Sequence, residues 1–273
     1  MPLSQVTTQP QASATTMAAL ASLLESRTGQ QIAANRAWRI DTALRPLATA
    51  SGVASVDELV AHVRHGRNPA LADRIVDALL NQETSFFRDG EAIGAAAAAI
   101  AANADGVPRI WCAGCATGQE PLSLAIAFAE RGGAAPEIIA SDVSAAAIAR
   151  ARTGRFSHFE IQRGLPIGRM VRWFDQEGED WVAQPALVRG ISWRRSNLVL
   201  DPPPAGRLDA VFCRNVLFYL APELRSRVLD TIARSLKPGG LLMLGAGETV
   251  IGQSDRFVPS KQFRGLYELV AAR

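Results

Sequence analysis

Residues 110–121 read IWCAGCATGQEP, and the change of character within this stretch decides the fold. An apolar run, Arg109 to Ala113, gives way to two glycines, Gly114 and Gly118. Gln119, Glu120 and Pro121 follow, after which apolar residues keep helical spacing to about Glu130. Proline is tolerated in the first turn of a helix, where its missing N–H would have had no partner. The stretch is therefore a strand, a tight turn and a helix. Short apolar runs recur at 137–143, 208–213 and 240–245, again separated by helical stretches. That alternation predicts an α/β fold with a doubly wound parallel sheet.

Ligands of such sheets bind at the carboxyl ends of the strands, where glycine lets the backbone approach and the next helix offers free N–H groups. Gly114 and Gly118 occupy that place. The second strand ends in Asp142, where a carboxylate can hold the two hydroxyls of a ribose. The plainer reading makes the glycines a simple turn and Asp142 the cap of the next helix. Glu120 narrows the ligand. A carboxylate at the helix N-terminus repels a pyrophosphate and suits a cation, and the G-x-G-x-x-G spacing of a dinucleotide site is absent. S-adenosylmethionine carries a ribose, a sulfonium and an ammonium group, and no phosphate.

Upstream the pattern differs. From Met17 to Leu80 apolar residues recur at helical spacing, broken by turn signals at Thr28-Gly29, Ser51-Gly52 and Gly66 to Pro69, which predicts an all-α domain of about four short helices. Met1 to Thr16 has little to bury and is read as a disordered tail. The expected boundaries are thus a tail at 1–16, a helical domain at 17–80, a linker at 81–90 and an α/β domain at 91–273; the resemblance described below makes the linker a contributor to the cofactor site and the α/β domain catalytic.

Composition sets limits. The chain has 273 residues, 48% of them apolar, and a net charge of +3. It can bury one substantial core plus a small second domain. No stretch approaches the ~20 apolar residues of a membrane span, so direct membrane insertion is not expected. The N-terminus has no basic segment followed by an apolar run, and a cytoplasmic location is expected. The mild basicity does not indicate nucleic acid. Three cysteines argue against a disulfide framework. Trp111-Cys112-x-x-Cys115 has the form of a dithiol site, but small residues filling a tight turn account for it as well. Zinc is not expected: no second Cys-x-x-Cys exists, and His158 and Cys213 lie far off in sequence.

Seven blocks carry a resemblance: NQETSFFRDG (81–90), WCAGCATGQEPLSLAI (111–126), ASDVS (140–144), HFEIQRGLP (158–166), SNLVLDPPP (196–204), FCRNVLFYL (212–220) and LKPGGLLMLGAGET (236–249). Together, from about Met17 to Ala272, they resemble the CheR family, methyltransferases that esterify glutamates of bacterial chemotaxis receptors. The resemblance implies a Rossmann-like S-adenosylmethionine-dependent methyltransferase sheet and makes residues 111–118 the cofactor loop, with Cys112 and Cys115 incidental. It implies that Thr84 and Arg88 cover the cofactor's methionine end, Arg88 facing its carboxylate, and that Gln82 belongs to the cofactor's shell. Gly114 belongs to the loop, Glu120 takes the ammonium group and Asp142 the ribose. Asn197 and Leu198 border the adenine; Asn215 and Val216 lie beside the methionine moiety. Tyr219 lies near the transferring methyl, and with Arg88 it is the catalytic candidate, whereas Phe218 is read as core.

The implied partner is the cytoplasmic region of methyl-accepting chemotaxis receptors, met by a monomer. A glutamate carboxylate is already ionised at neutral pH, so no general base is required. Gln82, Gln119 and Leu122 depart from the family's usual residues. Some relatives meet receptors through a basic helix. Here QIAANRAWRIDTALRPL offers Arg36 and Arg39 on one face and Arg45 on another, with Pro46 expected to end the helix. Residues 175–193 are expected to form the small β insert that some relatives use to tether a receptor tail. Two alternatives stay open: a methyltransferase for another protein or a small acid, and a non-catalytic module that senses the cofactor.

Overall fold

Two units, Met1–Leu80 and Asn81–Arg273, make up the computed structural model, which describes residues 12–32, 37–64 and 68–270. In the first unit the described residues form α1 (Ala14–Thr28), α2 (Ala37–Ala50), α3 (Val56–Arg64) and α4 (Pro69–Leu79). Leu20, Ile40, Leu44, Leu59, Val60 and Ile75 interlock as their common core. Ser13 starts α1: its hydroxyl accepts from Thr16 N and donates to Asp57 Oδ1 at 2.8 Å, tying α1 to α3. Such a cap contributes about 1 kcal/mol. The expected tail is accordingly too long. Ala14 to Thr16 belong to α1, and residues 1–11 lie outside the described residues.

Pro46 does not end α2 either; the helix continues to Ala50. An interior proline costs about 3 kcal/mol. Leu47 and Ala48, beyond it, are buried in the core while Pro46 faces outward, and their burial offsets much of that penalty. Arg36 lies outside the described residues, Arg39 is exposed, and Arg45 pairs with Asp41 at 3.3 Å.

The second unit opens with α5 (Gly90–Asn103), so Gly90 is helical rather than linker. There follow β1 (Arg109–Ala113), α6 (Gln119–Arg131), β2 (Glu137–Asp142), α7 (Ala145–Thr153), β3 (Arg155–Ser157), α8 (His158–Gln162), α9 (Ile167–Trp173), β4 (Phe174–Glu177), β5 (Asp180–Ala183), α10 (Pro185–Val188), β6 (Ile191–Arg195), β7 (Leu208–Cys213), α11 (Pro222–Ser235), β8 (Leu236–Leu244), β9 (Phe257–Pro259) and β10 (Tyr267–Leu269). The main sheet has the order β6-β2-β1-β7-β8-β10-β9. Its first five strands are parallel; β10 and β9 add on antiparallel.

Alternation along β1 feeds two cores. Ile110 and Cys112 pack with Ile93 and Ile100 of α5 and Leu122 and Ile126 of α6, while Trp111 and Ala113 join Leu229 and Ile232 of α11 on the opposite face. The sheet is therefore wound on both sides. Strand order reverses between β1 and β7, which opens the crevice where such folds bind ligands.

The β insert is placed differently from expectation. A three-stranded sheet of order β3-β5-β4 begins at Arg155 and closes at Ala183. Residues 191–195 leave it to pair in parallel with β2, because Ile191 is needed in the core of the main sheet. Phe156 and Phe174 of the insert stack edge-on to Phe86 at 4.9 and 5.4 Å, fixing the segment before α5. No helix among the described residues is long and apolar enough to cross a membrane.

Candidate functional site

Gly114 follows β1 with φ +87°, and a Cβ there would lie 2.5 Å from Val216 Cγ2. Only glycine lets the loops after β1 and β7 meet, and they do so at the switch point. Gly114 N and Cys115 N donate to Ser141 O at 2.8 and 2.9 Å, joining the first loop to the end of β2. Asp142 then bridges two backbones. Its Oδ2 accepts from Ala116 N and its Oδ1 from Ser144 N, both at 2.9 Å. The cap of α7 is Ser144, whose hydroxyl accepts from Ala147 N, so Asp142 is not that helix's N-cap.

Glu120 lies in the first turn of α6, half-buried, with Oε2 3.1 Å from Arg214 Nη1. Burial raises its pKa above the ordinary carboxylate value; Arg214 and Arg88 oppose the rise and Glu248 adds to it. Arg214, itself buried just beyond β7, also donates to Asp89 Oδ2 at 2.6 Å and to Arg88 O at 3.0 Å. Its Nε has no hydrogen-bond partner among the described residues. One guanidinium thus clamps the segment before α5 to the start of α6. Arg88 is exposed, yet close enough to act on Glu120.

Tyr219 ends a single 3-10 turn, Leu217–Tyr219, and its hydroxyl accepts from Asn81 Nδ2. Three residues per turn put Leu217 and Leu220 on one buried face, leaving Phe218 42% exposed. Phe218 is therefore not core. Asn197 is buried after β6, and its Oδ1 accepts from Val199 N at 2.9 Å, the bond of a turn residue; Leu198 packs against the α11 face of the sheet. Gln82 Nε2 donates to Ser144 Oγ at 3.0 Å, beside Asp142. Gln82 and Thr84 also line a polar cavity of about 450 Å³ with Thr117, Gln119, Arg150 and Arg163, a cavity that Glu120, Asp142 and Asn215 do not line.

Strain is concentrated here. Among the described residues the non-glycine positions with left-handed backbone are Phe87, Asp89, Ala116 and Asn215, and all four lie on the segments just described. The donor set is one for a cation with a diol. Two carboxylates stand at the helix N-terminus and the strand tip, where a phosphate site would present bare N–H groups.

The description "CheR methyltransferase, SAM binding domain" matches residues 82–265. The chemotaxis protein methyltransferase of Vibrio parahaemolyticus is 35% identical over 245 residues, covering 86% of this chain and 89% of that one. Chemotaxis protein methyltransferase 1 of Pseudomonas aeruginosa is 33% identical over 86% and 90%. The chain belongs to the CheR methyltransferase family. It is an S-adenosylmethionine-dependent methyltransferase, and the donor set fits that cofactor. A probable biofilm formation methyltransferase, WspC of Pseudomonas putida, is 31% identical over 82% of this chain and 54% of its own length.

In this CheR-family chain Cys112, Cys115 and Cys213 are free and buried. Burial pushes all three thiols well above the ordinary range, which holds them protonated and unreactive. Gln119 is 2% exposed and accepts from Thr117 Oγ1 at 2.8 Å; the amide avoids a buried charge at this position. Three residues given no role in the sequence reading take part in the constellation: Asn81, Arg214 and Glu248. The arginine closing the apolar run FCR was the available signal, since a charge at the end of a buried strand needs a partner.

Proposed function

We propose that the chain methylates glutamate side chains in the cytoplasmic region of chemotaxis receptors, acting as a monomer in the cytoplasm. The observation that supports it most is the Glu120–Arg214 pair at the start of α6, a half-buried carboxylate held at 3.1 Å by a buried guanidinium. In this reading Glu120 holds the ammonium group of the cofactor and Asp142 the ribose hydroxyls. Asn197 and Leu198 border the adenine; Asn215 and Val216 flank the methionine chain over the bare loop at Gly114. Gln82, Thr84 and Arg88 close over the methionine end, with the Arg88 cation toward the carboxylate.

Bound S-adenosylmethionine supplies a methyl carbon on a sulfonium. A glutamate carboxylate, ionised at neutral pH, bonds to that carbon as the carbon–sulfur bond breaks, leaving a methyl ester and a neutral thioether. The protein's part is alignment and exclusion of water. Asn81 fixes the Tyr219 hydroxyl at the mouth, and Arg214 holds the covering segment down. No proton has to leave the acceptor, so the rate should stay nearly flat from about pH 6.5 to 8.5.

Tritiated cofactor tests the reading. It should label a receptor's cytoplasmic region, and mild alkali should release the label as volatile methanol. Base-stable label, or a rate that climbs steeply with pH, would show an acceptor that must lose a proton. The likeness to the probable biofilm formation methyltransferase favours a second reading, with the same ester chemistry on another protein. Base-labile label on that protein and none on a chemotaxis receptor would select it.

A further inference from the structure

We infer that Glu248 is a positioning residue, a carboxylate that holds the backbone of the loop after β7 in the shape the methionine end of the cofactor requires. The inference rests on the cofactor reading above and assigns a function to a residue that reading leaves out.

Glu248 follows β8 in the turn GAGET. Its Oε2 accepts from Asn215 N at 2.7 Å and from Gly245 N at 2.8 Å, and its Oε1 accepts from Leu217 N at 2.7 Å. Three backbone donors from two different loops converge on one side chain. Asn215 is left-handed at φ +59°, and the 3-10 turn that ends in Tyr219 begins at Leu217. The anchored amides therefore bracket Val216 and precede Tyr219. Gly245 makes the approach possible: a Cβ there would lie 2.6 Å from Asn215 Nδ2 and 2.9 Å from Asn215 N.

Only a carboxylate can serve all three donors. A glutamine offers one acceptor oxygen, and its NH₂ would face at least one N–H. Released from Glu248, Asn215 loses the bond that holds its backbone left-handed, and the contact of Val216 with Gly114 loosens with it. The consequence is selective. The methionine end should suffer, while the adenine and ribose, read at Asn197 and Asp142, should not.

The experiment compares wild type with Glu248→Gln by calorimetry against S-adenosylhomocysteine and against adenosine, with kcat and KM for methyl transfer. The expected result is a loss of at least about ten-fold for S-adenosylhomocysteine, adenosine affinity held within about two-fold, and a lowered kcat. Unchanged affinity for S-adenosylhomocysteine, or equal loss for both ligands, would overturn the assignment. Hydrogen exchange on the wild-type protein decides the case if the variant does not fold. The amides of Asn215, Leu217 and Gly245 should exchange slowly, and fast exchange at Asn215 and Leu217 overturns the anchoring. Failure of wild type to bind S-adenosylhomocysteine would remove the cofactor reading instead, and the exchange result would still decide whether Glu248 holds the loop.

Discussion

Glu120 is pulled in two directions, and pH separates them. Burial raises its pKa, so in the free protein the penalty for its charge is present at neutral pH and fades as the pH falls through the raised value. A cationic ligand favours the charged form. Cofactor affinity should therefore be constant near neutrality and decline on acidification, beginning above the pH at which an exposed glutamate would protonate. Calorimetry across the acid range should show this, and Glu120→Gln should bind more weakly by ~1–3 kcal/mol with the acid decline abolished. A variant with unchanged affinity would mean that Glu120 serves Arg214 alone. The thiols allow a second measurement at this scale. Cys112, Cys115 and Cys213 are all 2% exposed or less, so a disulfide reagent should modify none of them until the chain unfolds. Fast modification of Cys112 or Cys115 in the native protein would restore the dithiol reading of the loop.

The contact of Gly114 with Val216 is a property of two elements. Gly114→Ala places a methyl group on Val216 and strains a left-handed backbone, costing ~1–3 kcal/mol in stability or cofactor binding. Val216→Ala makes room, so the double variant should recover part of the loss; a purely additive cycle would mean that the loops do not press on each other. The strand-turn-helix at 109–131 was readable because its signals are local: an apolar run, two glycines and a proline within one turn of their effects. Arg214, Glu248 and Asn81 were not, because their partners lie 94, 33 and 138 residues away in sequence. Phe218 and Pro46 were misread for a related reason. Local rules placed an aromatic inside and a helix end at proline, and packing around Leu217, Leu220 and Leu47 overruled both.

The whole molecule is two units, each with a core of its own. Residues 81–273 expressed alone should therefore fold and bind S-adenosylhomocysteine, measured by calorimetry and thermal unfolding. Failure to fold would show that the helical unit is required for the stability of the sheet. The boundary at Leu80 was legible because helical spacing gives way there to polar residues, and the parallel sheet followed from alternation of the two periods. Strands β6, β9 and β10 escaped, since their runs are short and two of them join the sheet antiparallel at its edge.

The left-handed positions at Phe87, Asp89, Ala116 and Asn215 reach beyond the geometry of the crevice. Two of the four, Phe87 and Ala116, are residues for which that backbone is costly; glycine would relieve Ala116 by ~1 kcal/mol, whereas at Phe87 the loss of a buried ring outweighs the relief. A laboratory screen that rewarded heat resistance alone would thus collect Ala116→Gly early, and on the cofactor reading above would erode methyl transfer as it did so. The chain keeps a thermal reserve unclaimed on the loop proposed to hold its cofactor, and a library meant to harden this enzyme should leave Ala116 out.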